Sequence, residues 1–205
     1  KTRQLEYLLP ELLARTPDVL VTGANIQSNW SRQCAAAAAR LGIPIVLVLR
    51  SSDGAEITGN VLLDLWLGAE VRLVDEPDMT RMIRHHLDRV VDELRAAGRN
   101  ALKIDPWDAT VPFGYVGMMA ELDEQVEAAG IRPTRVWLAA AGPTHSGIEL
   151  GARLLGWDAR VTGIAPITWG DAPLDALVAD AANRAAERLG RSEEHTSELQ
   201  SLAYL

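Results

Sequence analysis

The stretch Asp18-Val19-Leu20-Val21-Thr22-Gly23-Ala24-Asn25-Ile26-Gln27-Ser28-Asn29-Trp30-Ser31-Arg32 decides how the chain is read. Its apolar start predicts a strand over 18–22, and the residues after it predict a helix over 29–41. Small, amide and hydroxyl residues fill the turn between them. At the carboxyl end of a strand that opens into a helix, backbone N–H groups lack intrahelical partners and the helix dipole favours a carboxylate or phosphate. Taken alone the segment reads first as an ordinary helix start, with Ser28 or Asn29 as the cap.

Working outward, apolar runs bounded by Gly, Pro and Asp alternate with amphipathic stretches, a βαβ rhythm. A helix is predicted over 2–14 before the break at Thr16-Pro17. The run Ile43 to Leu49 is continuously apolar, as a strand buried on both faces of a parallel sheet would be. A helix over 59–67, a strand over 70–74, a helix over 78–97 and a strand over 101–105 complete a first unit. Beyond Pro106 the rhythm restarts with a helix over 114–129, a strand over 135–140, a helix over 144–155, a strand over 160–167 and a helix over 174–189. The expected architecture is α/β, with two doubly wound, three-layer lobes. Residues 15–107 form a small αβ domain; 1–14 and 108–190 form an incomplete large one. Arg191 to Leu205 breaks the rhythm and is expected to be a non-native tail.

Composition narrows the function. The 205 residues are 48% hydrophobic and 23% charged, with a formal net charge of −8. That excludes disorder as the main state and disfavours nucleic acid as a partner, since no basic cluster is present to neutralise phosphates. Cys34 has no second cysteine with which to form a disulfide, and no apolar run approaches the roughly 18 residues of a membrane span. The expected setting is cytoplasmic, away from membranes.

Two further segments carry chemistry. Lys1-Thr2-Arg3-Gln4-Leu5-Glu6-Tyr7 opens the first helix with a lysine, and Ala140-Ala141-Gly142-Pro143-Thr144-His145-Ser146-Gly147 joins a strand to a helix with residues small enough for an anion to approach the backbone. Each is weak alone. Together KTRQLEY, GANIQSNWSRQ and AAGPTHSG, in that order, resemble the pyridoxal-phosphate-dependent family that contains 1-aminocyclopropane-1-carboxylate deaminase and D-cysteine desulfhydrase, with the fold of the tryptophan synthase β subunit. The resemblance extends over Lys1 to Leu189.

That resemblance implies pyridoxal 5′-phosphate as cofactor, a small amino acid as substrate and a homodimer as the full-length assembly. Lys1 matches the lysine that forms the Schiff base with the cofactor, a role suited to an amine whose pKa falls when desolvated. Asn29 matches the residue that hydrogen-bonds the cofactor ring hydroxyl. Ser28 matches the serine that holds the substrate carboxylate and stands near the reacting carbon, and the N–H groups of Ser28, Asn29 and Trp30 would form the carboxylate cradle. Ala141, Gly142 and Thr144 match the loop around the cofactor phosphate. The implied reaction is that of a lyase or deaminase releasing ammonia and a keto acid. His145 matches a histidine of the desulfhydrases and tilts the expectation toward them; deamination of aminocyclopropane carboxylate and sulfo-lyase action on cysteate remain alternatives, as does a non-catalytic anion-binding αβ module or an inactive fragment.

The chain departs from the family pattern at Gln4, where many relatives carry a second lysine, at Pro143, which has no N–H to offer, and at Asp105 to Val111, which lacks a glycine-rich stretch. Elsewhere the simpler readings prevail. His85 and His86 are adjacent on a helix, face different ways and are assigned to a solvated surface; no metal site is expected. Cys34 reads as a small buried residue, Trp30 as a tryptophan facing substrate, and Asp75, Glu76 and Asp78 as a solvated turn.

Overall fold

The computed structural model describes residues 1–51, 56–78, 81–140, 142–165, 173–190 and 203–204. These divide into two compact units. One contains Lys1–Thr2 and Leu9–Pro106; the other contains Arg3–Leu8 and the described residues from Trp107 onward. The first helix, α1 (Thr2–Leu13), thus contributes to both. Lys1, Thr2 and residues 9–14, expected with the larger lobe, group with the smaller one.

The first unit is built on a parallel sheet of β1 (Val19–Asn25), β2 (Ile45–Arg50), β3 (Glu70–Val74) and β4 (Ala101–Lys103) in the order β3-β2-β1-β4. The register pairs Leu20 with Ile45 on one side of β1 and with Leu102 on the other. Apolar residues on both faces of the central strands explain why they are continuous runs: Leu20, Val21, Leu47 and Leu49 are fully buried. Each such side chain contributes about 1.5–3 kcal/mol of burial. The flanking helices are α2 (Asn29–Leu41), α3 (Gly59–Trp66) and a π-helical turn, Met82–His86, that runs into α4 (Leu87–Ala96). Cys34, Ala35 and Ala38 form the buried stripe of α2, and Leu87, Val90 and Val91 that of α4, at the i, i+3, i+4 spacing of one helix face.

In the second unit the helices α5 (Phe113–Ala128), α6 (Pro143–Leu154) and α7 (Leu174–Arg188) accompany the parallel pair β5 (Arg135–Leu138) and β6 (Arg160–Gly163). Two glycines one turn apart on α6 let α5 approach it: a Cβ on Gly147 would lie 2.3 Å from the Pro112 carbonyl oxygen, and one on Gly151 would lie 2.7 Å from Met119 Cβ. On α6, Leu150 packs with Ala179, Ala182, Ala185 and Ala186 of α7. Ala203–Tyr204, within the segment set apart as a tail, forms a short strand β7 beside β6.

Several boundaries differ from expectation. β1 runs three residues further than predicted, to Asn25, because Ala24 and Asn25 continue the register against Leu49 and Arg50. The strand expected over 135–140 ends at Leu138 and the one expected over 160–167 at Gly163; residues 166–172 lie outside the described set. Glu76 is not solvated. It is buried, accepts from the Asp78 N–H and faces Arg81 and His86 at 3.5 and 3.4 Å, so His86 has a carboxylate neighbour rather than open water.

Candidate active site

In the first unit the strand order reverses at β1: β2 and β3 lie to one side and β4 to the other. The crevice beyond the carboxyl ends of strands at such a switch point is where open α/β sheets bind ligands, and the residues after β1 occupy it. Ser28 is the N-cap of α2. Its Oγ accepts from the Trp30 N–H at 3.1 Å and the Ser31 N–H at 3.4 Å, while its own N–H donates to the Asn25 carbonyl at 2.9 Å. Two of the three amides expected to form a carboxylate cradle, those of Ser28 and Trp30, are therefore engaged within the chain.

Trp30 corrects the sequence expectation more sharply. Its indole is 6% exposed and donates from Nε1 to Thr22 Oγ1 at 3.0 Å, and Thr22 in turn donates to the Ile104 carbonyl at 2.7 Å. A side chain near a helix start points back toward the N-terminus, which carries this indole into the sheet rather than toward a ligand.

Asn29 is exposed and belongs to a network that the sequence did not disclose. Asn60, one residue into α3, donates from Nδ2 to the Gln27 carbonyl at 2.8 Å and to Asn29 Oδ1 at 3.0 Å. Gln27 returns the contact, accepting the Asn60 N–H at Oε1 (2.8 Å) and donating to the Thr58 carbonyl (2.9 Å). Gly59 makes room for this: its φ is +57°, and a Cβ there would stand 2.5 Å from Gln27 Oε1. Beside it, Arg50 Nε donates to Asn25 Oδ1 at 2.8 Å. The Gly-Asn pair opening α3 was the available signal for Asn60.

Lys1 precedes α1, and Thr2 Oγ1 donates to Gln33 Oε1 of α2 at 2.8 Å, which ties the start of α1 to the helix that Ser28 caps. The Lys1 amine lies against enough protein that desolvation lowers its pKa from the ordinary lysine value.

The second unit carries the other loop. Gly142 is buried with φ +79°, and a Cβ on it would approach Trp107 to 2.8 Å, so the turn before α6 needs glycine. Pro143 takes the first position of α6, where a missing N–H costs the helix nothing. Gln4, the departure from the family pattern, donates to Thr144 Oγ1 at 3.3 Å. His145 is fully buried, and desolvation lowers its pKa to about 4, so near neutral pH it is an uncharged imidazole and not a cation for a phosphate. Ser146 Oγ donates to the Val178 carbonyl at 2.9 Å, holding α6 on α7. Ala141 lies outside the described residues.

The family profile described as pyridoxal-phosphate dependent enzyme matches residues 1–202, and the chain belongs to that family. Among its relatives, the 1-aminocyclopropane-1-carboxylate deaminase of Burkholderia vietnamiensis is 35% identical over 98% of this chain and 59% of its own length. The enzyme of the same name from Mesorhizobium japonicum is 36% identical over 80% of this chain and 51% of its own. A solved structure described as an ACC deaminase homologue superposes with a TM-score of 0.82 at 31% identity, covering 93% of this chain and 57% of that one. The chain thus spans between half and three fifths of the length of these relatives.

The residues present fit the family cofactor. In the first unit, the desolvated amine of Lys1 suits an aldehyde and the carboxamide of Asn29 suits a ring hydroxyl.

Proposed function

We propose that this chain is the lysine-bearing part of a pyridoxal-phosphate-dependent lyase or deaminase acting on a small amino acid, of the D-cysteine desulfhydrase type. The observation that carries the reading is Lys1: an amine of lowered pKa, heading a helix whose next residue is hydrogen-bonded to the helix that IQSN opens. When bound, the cofactor supplies an electron sink for charge developing at the substrate carbon. Lys1 supplies the amine that holds the cofactor aldehyde and afterwards carries a proton at its Nζ. Its lowered pKa keeps more of it unprotonated near neutral pH, which both roles require. Asn29 donates to the ring hydroxyl, and Gly142 and Thr144, with Ala141, accommodate the phosphate. Ser28 and the Asn29 N–H receive the substrate carboxylate. For D-cysteine the C–S bond breaks, sulfide departs, and water yields ammonia and a keto acid.

His145 favours the desulfhydrase type, whereas the names of the relatives favour deamination of aminocyclopropane carboxylate, which releases ammonia and a keto acid by ring opening. Cysteate is a third substrate for the same residues. The parent protein is a cytoplasmic homodimer in this reading, without nucleic acid or membrane partners; among the described residues no helix is long and apolar enough to cross a membrane.

Covalent mapping tests it. The chain is mixed with pyridoxal phosphate, reduced with borohydride and digested. Modification concentrated on Lys1 supports the enzyme reading. An adduct distributed between Lys1 and Lys103, or none, leaves a non-catalytic anion-binding module.

A further inference from the structure

The hydrogen bonds around Asn60 determine which way round the Asn29 carboxamide sits. A backbone carbonyl can only accept, so the side-chain atom of Asn60 found 2.8 Å from the Gln27 oxygen is its nitrogen. That same nitrogen lies 3.0 Å from Asn29, so the Asn29 atom facing it is the acceptor Oδ1. The two hydrogens of the Asn60 amide serve these two acceptors. The Asn29 Nδ2 is consequently the end turned away from Asn60. Without this contact both orientations of a solvent-exposed carboxamide are open to Asn29, since the two ends are nearly the same size.

We propose that Asn60 is a positioning residue that fixes the Asn29 carboxamide so that its N–H groups, rather than its oxygen, are presented to the oxygen of a ligand. The inference rests on the reading of Asn29 as the partner of the cofactor ring hydroxyl. It assigns to the start of α3 a role in cofactor recognition that Asn60 exerts without touching the cofactor. Gly59 is part of the device. Its positive φ and missing side chain admit Gln27, whose Oε1 holds the Asn60 backbone N–H and whose carbonyl holds the Asn60 side chain.

The backbone contact of Asn60 survives replacement of its side chain, so α3 keeps an anchor in the variants. Asn60→Asp substitutes two acceptors for the donor and draws Nδ2 of Asn29 toward itself; Asn60→Ala removes the donor without adding charge. Two measurements on the full chain are made on each variant: the Asn29 side-chain amide resonances in a nitrogen–proton correlation spectrum, assigned by their loss in Asn29→Ala, and the pyridoxal phosphate dissociation constant by absorbance titration. Asn60→Asp is expected to shift the Asn29 amide pair and raise the dissociation constant about tenfold, and Asn60→Ala about threefold. Adding Asn60→Asp to Asn29→Ala should cost nothing further. Asn29 resonances that stay in place in both Asn60 variants overturn the proposal. Resonances that move while Asn29→Ala leaves the dissociation constant unchanged uphold the orienting role and overturn the assignment of Asn29 to the cofactor.

Discussion

The Trp30 indole and the Thr22 hydroxyl are joined by a buried hydrogen bond of 3.0 Å that fastens the first turn of α2 to the strand leading into it. The turn between them, which carries Gln27, Ser28 and Asn29, is held at both ends by this one contact. Because Thr22 also donates to the Ile104 carbonyl, its hydroxyl serves two buried partners.

Thr22→Val keeps the shape of the side chain and removes both interactions, leaving a buried indole N–H and a carbonyl without their partner. A loss of about 2 kcal/mol is expected in urea unfolding. Trp30→Phe together with Thr22→Val should cost less than the sum of the two single changes, because the hydrogen bond between the two side chains is lost only once.

Ser28 has a structural task separable from any chemical one. Ser28→Ala is expected to lower stability by about 1 kcal/mol through loss of the cap on the Trp30 and Ser31 amides. Ser28→Asp restores the cap and the stability. In the proposed reading Ser28→Asp does not restore turnover, because its carboxylate would face the substrate carboxylate, and comparing unfolding midpoints with rates separates the two tasks.

Gly142→Ala places a Cβ against Trp107 at a residue with φ +79°. With ψ at −145° this backbone lies in a region reached essentially by glycine alone, and holding another residue there costs about 1–3 kcal/mol. The midpoint of thermal unfolding should fall by at least that equivalent.

Asp64 and His145 give the pH dependence opposing slopes. Asp64 is fully buried, neither of its oxygens has a hydrogen-bond partner among the described residues, and desolvation raises its pKa from 3.8 to about 6 against the opposing charge of Arg32. The folded state therefore prefers the neutral acid. Stability is full below pH 3.8 and falls as pH rises through about 6, by about 3 kcal/mol. His145 is lowered from 6.5 to about 4, so its contribution is full above pH 6.5 and falls as pH drops through about 4, again by about 3 kcal/mol. Between those limits the two nearly cancel. Asp64→Asn should be more stable than the parent by about 2 kcal/mol at pH 8 and no more stable at pH 3.5, and its stability should rise steeply between pH 4 and 6.5. His145→Asn should show the reverse slope. Chemical denaturation at stepped pH measures both.

Much of the fold could be read from the sequence because its signals are local. Ile45 to Leu49 is apolar at every position, which only a strand covered on both faces explains, and α4 repeats its apolar residues at Leu87, Val90 and Val91. The family was legible because KTR, IQSN and the Gly-Pro-Thr-His loop keep their order. What stayed hidden depends on meetings across the chain. Asn60 reaches Asn29 over 31 residues, through the geometry of β2 and α3, and no spacing announces it. Trp30 beside a polar turn looks like a ligand-facing aromatic until the direction of its side chain is known. Glu76 sits in an acidic run that looks solvated, and its partners Arg81 and His86 are brought to it by a π-helical turn that composition does not reveal.

The pairing of Thr22 with Ile104 has a bearing on the order of events at the ribosome. The two residues are 82 positions apart in the chain, and β4, which ends beside Ile104, is the last strand to join β1. Contacts so distant in sequence form late and slowly. While the nascent chain is being extended at roughly 5–20 residues per second, the IQSN turn will have left the exit tunnel several seconds before the carbonyl that completes its support. During that interval the Thr22 hydroxyl and the indole above it have only each other, and the strand edge of β1 stands open to whatever holds unfinished chains in solution.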